Sequence, residues 1–177
     1  MSHKSIYAIA TSEGQANQIL SGLLNAGFFN DDISILFPDK DSTHEFSHEK
    51  NTKAPEGAVT GVATGGVLGG TLGLLAGIGA LAIPGVGPLI AAGPLLAALS
   101  GMAAGAAVGG ITGGLIGMGV PELEAKRYEN RIAEGNILIS VHARDGDEVD
   151  RAKKILTDAG AEDISVASLD EAKPVSR

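Results

Sequence analysis

The chain has no cysteine and no tryptophan, and only 3% of its residues are aromatic. Without thiols it can have no disulfide framework, no thiol nucleophile and no cysteine metal site. Basic charge is also scarce: 13 Lys and Arg stand against 21 Asp and Glu, a formal net charge of −8. Residues 1–56 hold four Lys and eight acidic groups, and residues 122–177 hold nine basic and thirteen acidic groups, so each arm carries −4. A nucleic-acid binder needs a basic stripe, and neither arm has one. The opening residues MSHKSIYAIA do not form a signal peptide, because the apolar run after Lys4 is short and meets Thr11, Ser12 and Glu13. The expected start therefore lies on the side of the membrane where the protein is made.

Charge is missing altogether between Gly57 and Pro121, a stretch of 65 residues that holds 20 of the 26 glycines. The other residues there are mainly Ala, Leu, Ile and Val, with Thr60, Thr64, Thr71, Ser100 and Thr112 as polar side chains. The glycines are phased. They fall at Gly61, Gly65, Gly69, Gly73 and Gly77, and again at Gly101, Gly105, Gly109, Gly113 and Gly117, with Gly93 and Ala97 extending the second series backwards. A spacing of four places each series on one helical stripe, where a second helix can approach closely. Each glycine costs about 1 kcal/mol in an exposed helix, so the pattern needs close packing or an apolar solvent to offset it.

This spacing predicts a glycine-zipper helical hairpin, with helices near Ala58–Ala82 and Pro94–Val120. The Ile83–Pro88 segment turns the chain, Pro94 opens the second helix, and Leu89–Gly93 is a short interfacial piece. Each helix would be roughly 37–40 Å long, enough to cross a bilayer. An even number of crossings would leave both termini in the cytoplasm, weakly favoured by Lys50, Lys53, Lys126, Arg127 and Arg131 at the flanks. The alternative is a cytoplasmic homo-oligomer with the hairpins as its dry centre.

The two arms read as halves of one domain. Ile6–Ala10 is a strand. Ser12 caps the next helix with Gln15 in a capping box, Ala16, Ile19, Leu20, Leu23 and Leu24 recur at helical spacing, and Gly27 stops it. Asp32–Phe37 is the second strand, closed by Pro38. The second arm opens with a helix from Glu122 to about Ala133, capped by Gly135. Strand Ile137–Val141 follows, then a helix capped by Asp147 with Val149, Ala152, Ile155, Leu156 and Ala159 inside. Gly160 and strand Ile164–Ala167 complete the arm. Ala26–Ser34 and Ala159–Ser165 form a weak internal repeat. Two βαβ units predict an α+β, split ferredoxin-like fold (βαβ-αβαβ). The halves span 1–50 and 122–170, the hairpin 57–121 and a tail 171–177. One sheet face is expected to stay free for dimerisation or a protein partner.

Candidate chemistry is sparse. His44-Glu45-Phe46-Ser47-His48 matches HExxH, whose histidines would bind zinc while Glu45 served as base. It lies in a polar stretch between Pro38 and Pro55 without an obvious third ligand, so His44 and His48 are weak metal candidates. His142, Tyr7 and Tyr128 read as structural residues. No phosphate loop is present, no carboxylate or guanidinium lies in the hairpin for ion transport, and no cofactor or catalytic residue is expected.

Ala26–Asp32 with the strand after it, His48–Gly57, the glycine-rich centre with Ile83–Pro88, Ala91–Leu99 and Gly135–His142 together resemble the bacterial heat-induced general-stress protein family (17M-like). The resemblance implies stress induction and supplies no catalytic residue. The layout is more weakly similar to a membrane subunit of a quinol-oxidising complex. The expected function is a non-enzymatic stress protein that joins a lipid membrane or copies of itself through the hairpin. Its α/β domain would present a protein-binding surface. The alternatives are the soluble homo-oligomer, an accessory subunit of a membrane redox complex, and a metal-dependent enzyme using His44 and His48.

Overall fold

The computed structural model describes residues 4–38, 78–83, 87–95 and 110–168. Ile6 to Ala10 and Ile137 to Val141 are apolar at every position save Ser140, as strands covered on both faces must be. They lie in β1 (Lys4–Ala10) and β5 (Ile137–Ala143), which pair antiparallel at the centre of the sheet. β6 (Glu162–Ser168) pairs with the other side of β1, and β2 (Ile33–Pro38) with the other side of β5. Two strands from the uncharged stretch extend the sheet: β4 (Gly87–Ala92) joins β2, and β3 (Ile78–Ile83) joins β4. The order is β3-β4-β2-β5-β1-β6, with every described pair antiparallel.

Alternation along the strands sorts the core into two layers. Ile6, Ala8, Ile33, Ile35, Ile139 and Val141 face helices α1 (Glu13–Asn25) and α4 (Gly146–Asp158). Tyr7, Ile9, Leu36 and Leu138 face α2 (Gly110–Gly117) and α3 (Glu122–Ala133). Ala16, Ile19, Leu20 and Leu23 are the buried stripe of α1. Each large aliphatic side chain so buried contributes roughly 1.5–3 kcal/mol. α1 and α4 approach closely at Gly22, where a Cβ would stand 3.0 Å from Ile155 Cγ2.

The helix ends follow local rules. Each of the four described helices closes with glycine at positive φ, at Gly27, Gly119, Gly135 and Gly160. The next N–H in each case bonds back five residues, as in Val120 to Leu115 at 3.0 Å and Ala161 to Leu156 at 2.9 Å. Ser12 Oγ accepts the Gln15 N–H at 3.2 Å, while Gln15 Oε1 reaches past Ser12 to the Thr11 N–H at 2.7 Å. The same displaced box recurs in the second arm. Asp145 Oδ1 accepts the Glu148 N–H, and Glu148 Oε2 accepts the Arg144 N–H, both at 2.8 Å. The α4 cap is therefore Asp145 and not Asp147, because the helix starts at Gly146.

The uncharged stretch departs from the helical-hairpin expectation at its described strands and keeps to it at Pro94, Leu95 and α2. Ile78–Ala82, expected as helix, is strand, and so is Leu89–Ala92. β3 and β4 pair antiparallel with Ile83 opposite Gly87, so the chain reverses between two strands rather than two helices. β2 would otherwise end the described sheet; β4 satisfies its backbone hydrogen bonds along the outer edge of β2, and β3 along that of β4. Pro94 and Leu95 are helical, as expected for the start of the second helix. Further on, α2 spans Gly110–Gly117, and Gly119 at positive φ follows its end. Among the described residues no helix is long and apolar enough to cross a membrane. The sheet face expected to be free is covered, because α2, α3 and Leu95 pack on it.

Candidate functional site

Sequence-predicted positions distribute unevenly over this fold. His44, His48, Gly61, Gly65, Gly69, Gly73, Gly77, Gly101, Gly105 and Gly109 lie outside the described residues. Gly113 and Gly117 lie on α2, and a Cβ on Gly113 would meet no atom within 4 Å. Gly93, read as an extension of the zipper, has φ +81° and lies against the backbone of Ile33 and Ser34. Its lack of a side chain serves a turn and a backbone contact, where any Cβ would collide.

The polar chemistry gathers on the α2–α3 face of the sheet. Ser34 on β2 is in register with Ser140 on β5, and Ser140 with Tyr7 on β1. Tyr7 is in turn opposite Ser165 on β6. One cross-strand row therefore carries four hydroxyl side chains. One register step away, Ser5 pairs with His142, and Ser5 Oγ lies 3.1 Å from His142 Nδ1. Ser5, Ser34 and Ser140 are all buried.

Each end of the row is tied to a covering element. Ser34 Oγ accepts the backbone N–H of Leu95 at 3.1 Å, which holds the Gly93–Leu95 crossing onto the sheet. At the other end the Tyr128 hydroxyl donates to the Asp163 carbonyl at 2.6 Å and meets Ser165 Oγ at 2.7 Å. The Tyr7 and Tyr128 rings are 6.2 Å apart in a tilted pair. Burial pushes the Tyr128 hydroxyl up to about 12, against the hydrogen bond from Ser165 that lowers it. Burial also raises Tyr7, opposed by its hydrogen bonds with Ser5 and Ser140.

Between this row and Leu95 lies a cavity of about 220 Å³. Ser5, Tyr7, Ser34, Ser140 and His142 form its polar side, and Pro94, Leu95 and Met118 its apolar side. Asp32 stands at the margin, where its carboxylate takes the Arg144 guanidinium at 3.2 Å. The Ser5–His142 contact sets a hydroxyl against a base. Acyl transfer would also need strong donors aimed at a developing oxyanion, and the charged group lining this cavity is the Asp32 carboxylate, which would oppose one. The arrangement is suited to hydrogen bonding a ligand.

Sequence reading treated His142 and Tyr7 as structural and passed over Ser5, Asp32, Ser34 and Ser140. A polar residue at alternate positions inside three apolar strands (Ser5 with Tyr7, Ser34, Ser140 with His142) was the available signal. Among the described residues no group of three or more His, Asp or Glu converges on a point where a metal could sit. Comparison of the chain with protein-family models, with curated proteins and with solved structures found no match.

Proposed function

We propose that this protein is a non-enzymatic bacterial stress-response protein that self-assembles through its uncharged segment, with the α/β domain as its rigid base. The order β6-β1-β5-β2, with α1 and α4 on one face, supports reading the charged arms as a split ferredoxin-like domain. The stress role rests on the family resemblance of the sequence.

The observation that carries self-assembly is the contrast between the two sheet edges. β6 is defended: it opens with Glu162 and Asp163, Asp163 has φ +50°, and the register with β1 shifts between Tyr7 and Ile9. Charges and bulges of this kind discourage edge-to-edge pairing. β3 is Ile-Gly-Ala-Leu-Ala-Ile, with no charge and no proline, and among the described strands it pairs on one side only. An uncharged edge on a chain of net charge −8 lets two copies meet where repulsion is least.

A second reading, contact with a bacterial membrane from its cytoplasmic side, is favoured by the complete lack of charge over residues 57–121. Solution mass measured without detergent, and with it, separates the two. A discrete oligomer in plain buffer supports self-assembly. Recovery only with lipid or detergent supports the membrane reading. A monomer at all concentrations in plain buffer overturns both.

A further inference from the structure

We propose that the cavity over Tyr7 and Ser140 binds a small uncharged molecule of about one ring, carrying a single hydroxyl or carbonyl group. This inference is independent of self-assembly and can be tested in any oligomeric state.

The α2–α3 face of the sheet is built in two different ways. Toward one end, Ile9, Leu36 and Leu138 are fully buried under the helices. Toward the other, the corresponding positions are Ser5, Tyr7, Ser34, Ser140 and His142, and the space above them is hollow. A packed core would place Val or Leu at these sites and leave no void. Tyr7 is 1% exposed, Ser34 2%, Ser5 5% and Ser140 7%, so these are buried hydroxyls gathered around empty volume.

Each hydroxyl can donate one hydrogen bond and accept two. Ser34 spends an acceptor on Leu95, Ser5 meets His142, and Tyr7 bonds with Ser5 and Ser140, so each of Tyr7 and Ser140 keeps at least one lone pair for a group in the cavity. The volume is far above the roughly 15 Å³ one buried water needs, yet below the pockets of about 300–1,000 Å³ that take drug-sized ligands.

Charge selects the ligand class. No Lys or Arg lines the cavity, so an anion would find no counter-charge there. The Asp32 carboxylate at the margin is already engaged by Arg144, which stacks on Phe29 at 5.2 Å, so a cation gains little there. A neutral molecule remains. Its polar group would reach Tyr7 and Ser140, and its apolar body would displace water from Leu95 and Met118.

The test uses the full chain with methyl-labelled methionine, titrated separately with phenol, cyclohexanol, benzoate and tetramethylammonium. Met118 is one of three methionines, with Met1 and Met102, and it reports the cavity. The expected result is a saturable shift of the Met118 methyl with phenol or cyclohexanol, and a weaker one with either ion. Tyr7→Phe and Ser140→Val should each weaken phenol binding about tenfold, the loss of one hydrogen bond, while thermal unfolding shows the fold retained. If Ser140→Val does not fold, Tyr7→Phe decides alone. No saturable shift with either neutral probe overturns the proposal. So does tighter binding of benzoate than phenol, or affinity unchanged in Tyr7→Phe.

Discussion

Gly93 and Ile33 meet backbone to backbone: a Cβ on Gly93 would collide with the Ile33 carbonyl oxygen and come within 3.0 Å of Ser34 Cα. The contact sits where β4 ends and the chain turns onto the second sheet face, and φ at Gly93 is +81°. Gly93→Ala meets both a steric and a conformational penalty that no side-chain adjustment relieves. The expected loss is about 3 kcal/mol in urea unfolding. A change below about 0.5 kcal/mol, the scale of an ordinary surface substitution, would show that this contact does not hold β4 in place.

Ser34 is the acceptor for the next residue but one along the same crossing. Ser34→Ala leaves the buried N–H of Leu95 without its partner, at an expected cost of about 1–3 kcal/mol. Ser34→Thr keeps the hydroxyl and should recover most of it. Amide hydrogen exchange at Leu95 should accelerate in the alanine variant alone. Equal exchange in both variants would assign the stability to something other than this bond.

Glu129 of α3 links the charged arm to the uncharged stretch. Its carboxylate accepts the Thr112 N–H at 3.1 Å and the Thr112 hydroxyl, in the first turn of α2. An acidic group there satisfies an orphan donor and complements the helix dipole. Glu129→Ala should destabilise by about 1 kcal/mol, and Glu129→Gln by less, since the amide oxygen still accepts. Equal losses in the two variants would argue that packing, not the hydrogen bond, matters at this position.

The two tyrosines give the protein an alkaline limit. Their hydroxyls are both raised by burial, Tyr128 to about 12. The unfolded chain would release these protons near pH 10, and the native protein later. The unfolded state therefore binds fewer protons in this window. The stabilisation is complete below pH 10 and is lost as pH rises toward 12. With no tryptophan present, ultraviolet phenolate absorbance reports these two side chains directly. The native titration should lie above that of the denatured chain, and Tyr128→Phe should remove its higher part. Coincident titration curves would contradict the burial of both rings.

The β3 edge can be blocked without touching the core. In an antiparallel edge strand the N–H groups alternate inward and outward, so one of Ala80 and Leu81 donates to β4 and the other points outward. Ala80→Pro and Leu81→Pro should therefore behave differently. One should unfold the edge, while the other keeps native circular dichroism and lowers the solution mass. If the folded variant assembles like the parent, the contact between copies lies elsewhere.

Helix and strand identities in the arms were legible because they rest on local rules. Glu122–Ala133 matches its predicted span, and Gly27, Gly135 and Gly160 after the arm helices take the conformation that ends a helix. The cap of α4 was misplaced by two residues because Asp145 and Asp147 are chemically alike, and the helix start decides between them. Ser5, Ser34 and Ser140 were missed for another reason. Their significance lies in strand register, which joins residues more than a hundred positions apart.

Composition, periodicity and capping were enough to determine that two acidic arms form alternating strands and helices around an uncharged insert. Those properties depend on neighbours within a turn or two of chain. Only the tertiary structure decided that part of the insert becomes strands β3 and β4, and that α2 and α3 close the second face. A run of Ile, Leu, Ala and Gly can satisfy its backbone as helix or as strand. The open edge of β2 settled the choice by offering long-range hydrogen-bond partners that no local pattern encodes.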